Sequence, residues 1–241
     1  PEYLQEVSDS LAKEFLDCFG GPDDAHPSFN ALQQAISFTM TSVLTTGGIR
    51  GKKIARDFQP RSFNMGLSRE AFQASGGFGN IHPGEDPDLS LRLSKLGYTL
   101  GFIPGARVYH KRRIDFSSFF RQVNKFGLTR PILNRWHPGS SRVTYWFPTI
   151  FLGGLLLSVC LPIVLRDPRS WYPAILFGAY LLAVGMGTGM KTRNLKAALL
   201  APVATLVQFT GYGLGFLKST ILLTFSKKKP EDLFPRLFFK P

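Results

Sequence analysis

The chain has 241 residues, of which 44% are apolar, and its mean hydropathy is +0.02 despite 29 Lys and Arg residues. Its 22 Phe residues and the lack of a regular glycine period exclude a disordered or collagen-like chain, and two distant cysteines exclude a disulfide framework or a cysteine metal cluster. The formal net charge of +13 indicates an anionic partner: a nucleic acid, a membrane surface or a polyanionic substrate.

The N-terminal part of the chain mixes helical and strand patterns, which predicts a cytosolic α/β domain. Glu2–Asp17 has apolar residues at helical spacing, and Phe29–Thr41 is a second predicted helix. The segment Cys18–Pro22 breaks the first helix and allows a short strand. We interpret Thr45–Gly51 as a mobile glycine loop and the acidic pair Asp23-Asp24 as a solvated loop.

Three short elements follow this loop. Ser62–Leu67 is predicted as a strand, Arg69–Ser75 as a short helix and Gly76–Phe78 as a turn. No internal repeat or low-complexity segment interrupts them.

The segment Gly84–Gly97 is the most informative part of the sequence. It predicts a helix in which Asp86 is the N-cap and Pro87 the first helical residue, with the final glycine as the stop. Within that helix, Asp88 and Arg92 form an i, i+4 ion pair of the favourable polarity.

Two accounts of Asp86 stay open on chemical grounds. In the structural account, its side chain caps a helix. In the functional account, Glu85 and Asp86 present adjacent carboxylates beside a Gly-Gly-Phe turn. A carboxylate in such a place can take a proton from a substrate hydroxyl while the oxygen attacks an electrophilic carbon.

A basic stretch lies further along the chain. His110 follows a predicted strand end and precedes Lys111, Arg112 and Arg113. An ordinary strand-end histidine is one of two accounts of His110 that stay open. We interpret Arg112 and Arg113 as a juxtamembrane cluster attracted to anionic lipid.

The segment Phe116–Phe126 has the pattern of an amphipathic helix. Its apolar positions follow helical spacing, and Arg121, Gln122 and Lys125 occupy the remaining face. Such a helix suits the membrane interface, and packing of the Phe stripe on the domain's own core is the alternative. One helix can do both.

Three long uncharged runs predict transmembrane helices. They are Tyr145–Leu165, Trp171–Met190 and Ala197–Leu217. Each has the roughly 20 residues needed to cross a bilayer core of about 30 Å, and short charged connectors separate them. Buried core helices of a soluble protein are the disfavoured alternative.

The connector charges predict an orientation. Lys191–Lys196 holds three bases and no acid, which places it and the N-terminal domain in the cytoplasm. Three crossings would put the tail, with Lys227, Lys228 and Lys229, on the opposite side against the same rule. Either the third run does not fully span, with Gly211–Gly215 allowing a bent or re-entrant segment, or the tail is an exception.

Three segments together resemble the second half of a family 2 glycosyltransferase of the GT-A fold. They are Asn64–Phe72, the Gly76–Phe78 turn and Gly84–Leu93. In that family the turn and the Glu-Asp pair lie in the acceptor site, and the aspartate is the usual catalytic base. The resemblance implies that Asp86 is the base, and it assigns substrate-binding roles to Asn64, Gly76, Gly77, Glu85, Gln122 and Lys125.

The element Gln122–Gly127 resembles the Gln-x-x-Arg-Trp motif of the family, which closes over the nucleotide diphosphate and the acceptor. It departs from that motif at two positions, where Lys125 replaces arginine and Phe126 replaces tryptophan. Lysine supplies positive charge without the bidentate fork of arginine, so the departure weakens the expectation of tight nucleotide clamping.

The resemblance also implies a divalent metal, Mg²⁺ or Mn²⁺, that neutralises the leaving diphosphate. Some GT-A enzymes place a third metal ligand near the position of His110. Since the chain resembles only the second half of the domain, the main Asp-x-Asp ligands are expected upstream of Pro1. We therefore expect the sequence to be a fragment without the N-terminal nucleotide-binding half, inactive by itself.

These inferences predict an integral, multi-pass protein of the inner or plasma membrane. Residues 1–112 form part of a Rossmann-like α/β GT-A domain on the cytoplasmic side, and 113–142 an amphipathic interface helix and linker. Residues 143–225 form about three transmembrane helices, and 226–241 a basic tail.

The predicted activity is an inverting, hexosyltransferase-like transfer from a nucleotide-sugar donor to a lipid-linked, oligosaccharide or growing cell-envelope glycan acceptor. Nucleic acid is not an expected partner. Two alternatives stay open: a non-catalytic membrane module or scaffold, and a polysaccharide synthase that also extrudes its polymer.

Overall fold

The computed structural model describes residues 2–24, 26, 28–47 and 58–239. In chain order, their main elements are α1 (Glu2–Lys13), β1 (Cys18–Gly20), β2 (Asp23–Asp24), α2 (Ala31–Thr41), α3 (Val43–Thr46), β3 (Met65–Leu67), α4 (Arg69–Ser75), α5 (Glu85–Lys95), β4 (Leu100–Phe102), β5 (Val108–Tyr109), α6 (Phe116–Trp136), α7 (Phe147–Leu165), α8 (Tyr172–Thr192), α9 (Leu195–Phe225) and α10 (Pro230–Leu233). Short 3₁₀ helices lie at Pro138–Ser140, Val143–Trp146, Pro168–Trp171 and Pro235–Leu237.

A small mixed sheet organises the N-terminal part. Strand β1 lies between β3, to which it is antiparallel, and β4, to which it is parallel. Strands β2 and β5 form a separate parallel pair. Cys18, Ala71, Leu89 and Leu93 form one buried cluster, so α4 and α5 pack against this sheet. The N-terminal part therefore has the predicted combination of helices and strands, with short strands and small sheets.

The predicted elements of this part are confirmed, with shorter bounds. Helix α1 ends at Lys13, and Asp17 lies in the connection to β1, where its carboxylate accepts a hydrogen bond from the Thr99 backbone N–H at 3.0 Å. Helix α2 begins after the Asn30 cap, and β3 covers only the end of the predicted strand. The predicted glycine loop 45–51 was wrong at its start, because Thr45 and Thr46 belong to α3 and Gly47 is the C-cap of that helix; residues 48–51 lie outside the described residues.

Two predictions about charged residues were wrong. Asp23 is not in a solvated loop, because β2 pairs with β5 and brings Asp23 to a buried ion pair with Arg112, at 2.8 Å. Arg112 is accordingly not part of a surface cluster facing lipid. Its side chain is only 4% exposed, and its carbonyl accepts a hydrogen bond from Gln33 Nε2 at 2.9 Å.

The amphipathic helix α6 packs with its Phe stripe inward. Phe119 and Val123 are buried in one cluster with Ile36, Met40 and Ala204. The Phe stripe therefore packs inside the protein, mainly against α9, with residues of α2 in the same cluster, as the packing alternative predicts.

The third apolar helix is continuous. Helix α9 runs 31 residues from Leu195 to Phe225, so of the two open alternatives for the third run, a break of the helix at Gly211–Gly215 is not observed. Its glycines allow close packing instead: a Cβ at Gly211 would lie 2.6 Å from the Val123 side chain, and one at Gly215 would run into the Asn124 carbonyl. Gly127 on α6 meets the Tyr212 carbonyl in the same way.

Three helices are long and apolar enough to cross a membrane, as predicted. The candidate spans are Val143–Leu165, Pro168–Thr192 and Leu195–Phe225. Their environments differ. In the most apolar 18-residue stretch of each helix, the buried share is 17% for the first two helices and 39% for the third. The first two therefore expose most of their apolar surface, and the third is more covered by protein than the other two.

The tail after α9 folds back onto the N-terminal part. Phe234 and Leu237 share a buried cluster with Ile81 and Ile132. The Leu237 carbonyl accepts a hydrogen bond from the His82 backbone N–H at 2.7 Å. The tail thus packs against the loop that leads into α5.

Candidate active site

Helix α5 begins at Glu85, two residues before the predicted start, with Gly84 as its N-cap. The prediction that Asp86 caps this helix was therefore wrong: Asp86 lies in the first turn, and no side chain caps the end. Gly84 has a φ of 126°, which disfavours a side chain, and a Cβ there would run into the Thr129 side chain. This close approach holds the start of α5 against α6.

Asp86 is partly buried and has an unused oxygen. Its Oδ1 is shielded from solvent and has no hydrogen-bond partner among the described residues. Burial raises the pKa of Asp86 above its ordinary value, while the Arg61 charge lowers this pKa and the Glu85 charge raises it. Hydrogen bonding from Ser62 also lowers it. A carboxylate with a raised pKa and a free oxygen is suited to general-base work.

Glu85 is the second carboxylate at this helix start. Its Oε1 lies 3.0 Å from His82 Nδ1, and its Oε2 is buried without a hydrogen-bond partner in the described parts of the chain. Two adjacent residues therefore each keep one buried oxygen free. Buried polar atoms of folded proteins are normally hydrogen-bonded, so such a pair suggests a ligand.

The Gly-Gly-Phe turn is confirmed and is tied to α5. Gly76 and Gly77 have φ values of 73° and 72°, which ends α4 in a left-handed conformation. Arg92 donates hydrogen bonds to the carbonyls of Ser75 and Gly77. The predicted pair of Arg92 with Asp88 is also present, with Nη2 2.9 Å from Oδ2. One helix therefore carries the carboxylates and also fixes the turn.

Asn64 anchors the turn that faces Asp86. It is buried, accepts a hydrogen bond from the Tyr3 hydroxyl at 2.8 Å and donates one to the Ala106 carbonyl at 2.9 Å. Its backbone N–H donates to the Arg61 carbonyl at 2.7 Å. Asn64 thereby holds the segment with Arg61 and Ser62 in place, and its expected contact with substrate stays a prediction.

Gln122 and Lys125 lie on α6. Lys125 is exposed and its side chain contacts no partner in the described ranges, while Gln122 is half-buried. Their expected roles toward the diphosphate stay predictions.

Arg130 also lies on α6, and sequence reasoning missed it. Its guanidinium carbon is 4.6 Å from the centre of the Tyr145 ring, and its Nη1 is buried without a partner among the described residues. The sequence held a signal, because Arg130 follows Val123 by seven residues and so lies on the buried face of the amphipathic helix.

His110 follows β5 as predicted, and its ring packs 4.0 Å from the ring of Phe63. In the part of the chain that the structure describes, no three His, Cys, Asp or Glu side chains are grouped to hold a metal ion. These residues do not fit a complete divalent-metal site by themselves. The role of His110 as a ligand stays a prediction.

Comparison with protein families identifies the chain. The model of glycosyl transferase family group 2 matches residues 62–186, more than half of the sequence. The chain belongs to this family. The matched segment includes the Gly-Gly-Phe turn, the Glu85–Asp86 pair and the first two candidate spans. Among curated proteins, none matches the chain significantly.

Membership agrees with the resemblance drawn from the motifs. The family transfers a sugar from a nucleotide-sugar donor to an acceptor, and apolar helices follow the N-terminal part of this glycosyltransferase. At the start of α5, the glycosyltransferase has one carboxylate suited to accept a proton and a second one beside it.

Proposed function

We propose that the protein is a membrane-anchored inverting glycosyltransferase in which Asp86 is the catalytic base. The observation that carries the proposal is that Oδ1 of Asp86 and Oε2 of its neighbour Glu85 are both buried and have no hydrogen-bond partner among the described residues. Asp86 does not cap its helix, so the structural account leaves this oxygen unexplained. This argues against the alternative of a non-catalytic module.

The reaction that fits this arrangement is a direct displacement. Asp86 accepts the proton of an acceptor hydroxyl as that oxygen attacks the anomeric carbon of the donor. The bond from that carbon to the diphosphate breaks, the nucleoside diphosphate leaves with the bonding electrons, and the configuration inverts. Glu85 hydrogen-bonds and orients the acceptor, and the raised pKa of Asp86 improves its basicity.

The donor side of the proposal rests on α6. Lys125 is exposed and unpaired in the described ranges, which suits contact with a diphosphate, and Gln122 lies one turn before it. A divalent metal would supply further charge to the leaving diphosphate. His110 is proposed as one of its ligands.

The acceptor is proposed to be a lipid-linked or growing cell-envelope glycan. This follows from the apolar helices that adjoin the site, since they bring the catalytic part to a membrane surface. We propose that the catalytic part faces the cytoplasm of the inner or plasma membrane, because the connector 191–196 is strongly basic. The protein should resist carbonate and high-salt extraction, and recovery without detergent would contradict this location.

The reaction is tested with the full-length protein in detergent. A panel of labelled nucleotide sugars is offered with acceptor lipids extracted from membranes, and the product linkage is read by NMR. Transfer with inversion of the anomeric configuration is expected. Transfer with retention would overturn the role of Asp86 as a base, because retention requires a different chemistry at the anomeric carbon.

A further inference from the structure

Arg130 occupies an unusual environment for a cation. Its guanidinium lies over the Tyr145 ring and beside the Tyr212 hydroxyl, while Nη1 is buried without a hydrogen-bond acceptor among the described residues. A buried donor without an acceptor is costly, and more so when it is charged. An anion bound at Nη1 would supply the missing acceptor.

A second arginine faces the same region. Arg61 lies in the turn held by Asn64, and its side chain makes no hydrogen bond or ion pair with any residue in the described ranges. Burial lowers the pKa of Arg61, the nearby Asp86 charge raises this pKa, and the like charge of Arg130 lowers it, with a smaller effect than Asp86. Two like charges held near each other repel, and an anion bound between them would relieve this repulsion.

The two arginines lie where the catalytic part meets the apolar helices. Gly84, which precedes the Glu85–Asp86 pair, packs against Thr129. Thr129 is the residue directly before Arg130 on α6, so Arg130 lies close to the start of α5. Tyr145 directly precedes α7, and Tyr212 belongs to α9. An anion at this point would have the catalytic carboxylate on one side and the first candidate span on the other.

We propose that Arg61 and Arg130 bind the phosphate group of a lipid-linked acceptor and so place its reacting end beside Asp86. The proposal rests on the function proposed above and assigns residues to its acceptor. Arginine suits this role because its planar fork matches phosphate geometry. The donor diphosphate shares the same chemistry, but a site next to the start of α7 favours a phosphate that carries a membrane-embedded chain.

The test measures binding without turnover, on the full-length protein in detergent micelles. Polyprenyl phosphate and polyprenyl diphosphate are titrated, with uncharged polyprenol as the ligand control and a nucleoside diphosphate in a separate arm. Arg130→Gln and Arg61→Gln are compared with Arg121→Gln, an exposed cation on the same helix. Loss of a charged hydrogen bond should weaken binding of the lipid phosphates about tenfold or more.

The supporting result is weaker binding of both lipid phosphates in the two site variants, with unchanged binding of polyprenol and the nucleoside diphosphate. Recovery in Arg130→Lys would confirm that charge is needed. Loss in the nucleoside-diphosphate arm alone would assign the site to the donor and overturn the proposal, as would unchanged binding in every arm. The binding test and the test of the base are independent, because binding is measured without turnover. An active Asp86→Asn enzyme would contradict the role of Asp86 as the base but would not change the binding of the lipid phosphates.

A second inference comes from the contacts of α9. The helix lies along α6 for most of its length, from Ala204 beside Phe119 to the Leu223 carbonyl near Arg135. Both of its ends touch the N-terminal part: Asn194 donates to Gln34 Oε1 at 3.1 Å, and the following tail packs on Ile81. If α9 crossed the membrane, its C-terminal end would lie on the opposite side from the N-terminal part and could not contact that part.

The other two apolar helices are attached differently. Phe147 and Phe151 at the start of α7 pack on Phe209 in the middle of α9, and Val184 in α8 packs on Ala201 near its beginning. The remaining halves, 155–165 and 172–179, are largely exposed. Helices α7 and α8 thus form a projecting hairpin, and α9 passes beneath both of its legs.

We infer that only α7 and α8 cross the membrane and that α9 lies in the interface, so the tail is on the same side as the N-terminal part. This arrangement removes the conflict with the positive-inside rule, because Lys227–Lys229 then join the basic connector 191–196 in the cytoplasm. The exposed side of α9 is apolar enough to lie against lipid.

Labelling of single cysteines in sealed vesicles tests the arrangement. In a Cys18→Ser/Cys160→Ser background, Glu70→Cys, Arg169→Cys and Lys228→Cys are treated with a membrane-impermeant maleimide; all three positions are exposed. Positions 70 and 228 should react from one side and position 169 from the other. Labelling of 228 together with 169 would show three crossings, and labelling of all three from one side would show none; either result overturns the inference.

Discussion

The Nε2 atom of His137 lies 2.8 Å from Oδ1 of Asp88, and both side chains are buried. This contact joins the end of α6 to the helix that carries Asp86. The other oxygen of Asp88 pairs with Arg92, which holds the Gly-Gly-Phe turn, and Lys95 Nζ lies 3.0 Å from His137 Nδ1. One buried carboxylate therefore connects three parts of the site.

Removal of this carboxylate should destabilise the protein. Asp88→Ala leaves His137 and Arg92 without their partner, and breaking a buried pair from one side costs about 3–5 kcal/mol. A clear fall in Tm in detergent is expected. Glu70→Ala, at an exposed position with no described partner, should stay within about 0.5 kcal/mol of the parent protein. Equal Tm values for the two variants would contradict a structural role for the network.

Local patterns predicted the helices well because apolar spacing and caps act within a few residues. The pair of Asp88 with Arg92 was predicted from its i, i+4 spacing, and the turn at Gly76 from its glycines. The contact of Asp88 with His137 spans 49 residues and has no local signature. The sequence alone could not reveal it.

Glycine packing between α6 and α9 gives a second prediction. A methyl group at Gly127 would run into the Tyr212 carbonyl, so Gly127→Ala should separate the two helices and cost about 1–3 kcal/mol. Gly178→Ala is the matched control, since a Cβ at this helical position meets open space and alanine is the better helix former. Thermal unfolding in detergent should show a lower Tm for the first variant only. An unchanged Tm for Gly127→Ala would mean that the helices are not closely packed there.

The pH dependence of the reaction gives a third prediction. Since the Arg61 charge lowers the pKa of Asp86 and the Glu85 charge raises it, neutralising each should move this pKa in opposite directions. The acid limb of kcat/KM should shift to higher pH in Arg61→Gln and to lower pH in Glu85→Gln, because activity needs ionised Asp86. Shifts in the same direction would show that another group controls this limb.

The exposed lysine of α6 gives a fourth prediction. If Lys125 contacts the donor diphosphate, Lys125→Ala should weaken donor binding about tenfold, and Lys125→Arg should preserve or improve it. Donor titration of the full-length protein measures both, with Arg121→Ala as a control at another exposed cation of the helix. Equal loss in the alanine and arginine variants would point to packing instead.

The errors made from the sequence share a physical cause. Asp86 has every local feature of an N-cap, yet a contact between Gly84 and Thr129, distant in sequence, starts the helix earlier. Asp23 and Arg112 look like surface charges until β2 and β5 pair and bury them together. Tertiary contacts overrode local preference at each position, and Oδ1 of Asp86 has no hydrogen-bond partner among the described residues.

The central claim is that Asp86 is the catalytic base, and Asp86→Asn in the full-length protein tests it most directly. Asparagine keeps the size of the side chain but cannot accept the proton. The variant should fold and insert normally and lose at least about a hundredfold in transfer rate, whereas Glu85→Gln should act mostly on acceptor affinity. Near-normal turnover in a folded Asp86→Asn protein would contradict the assignment.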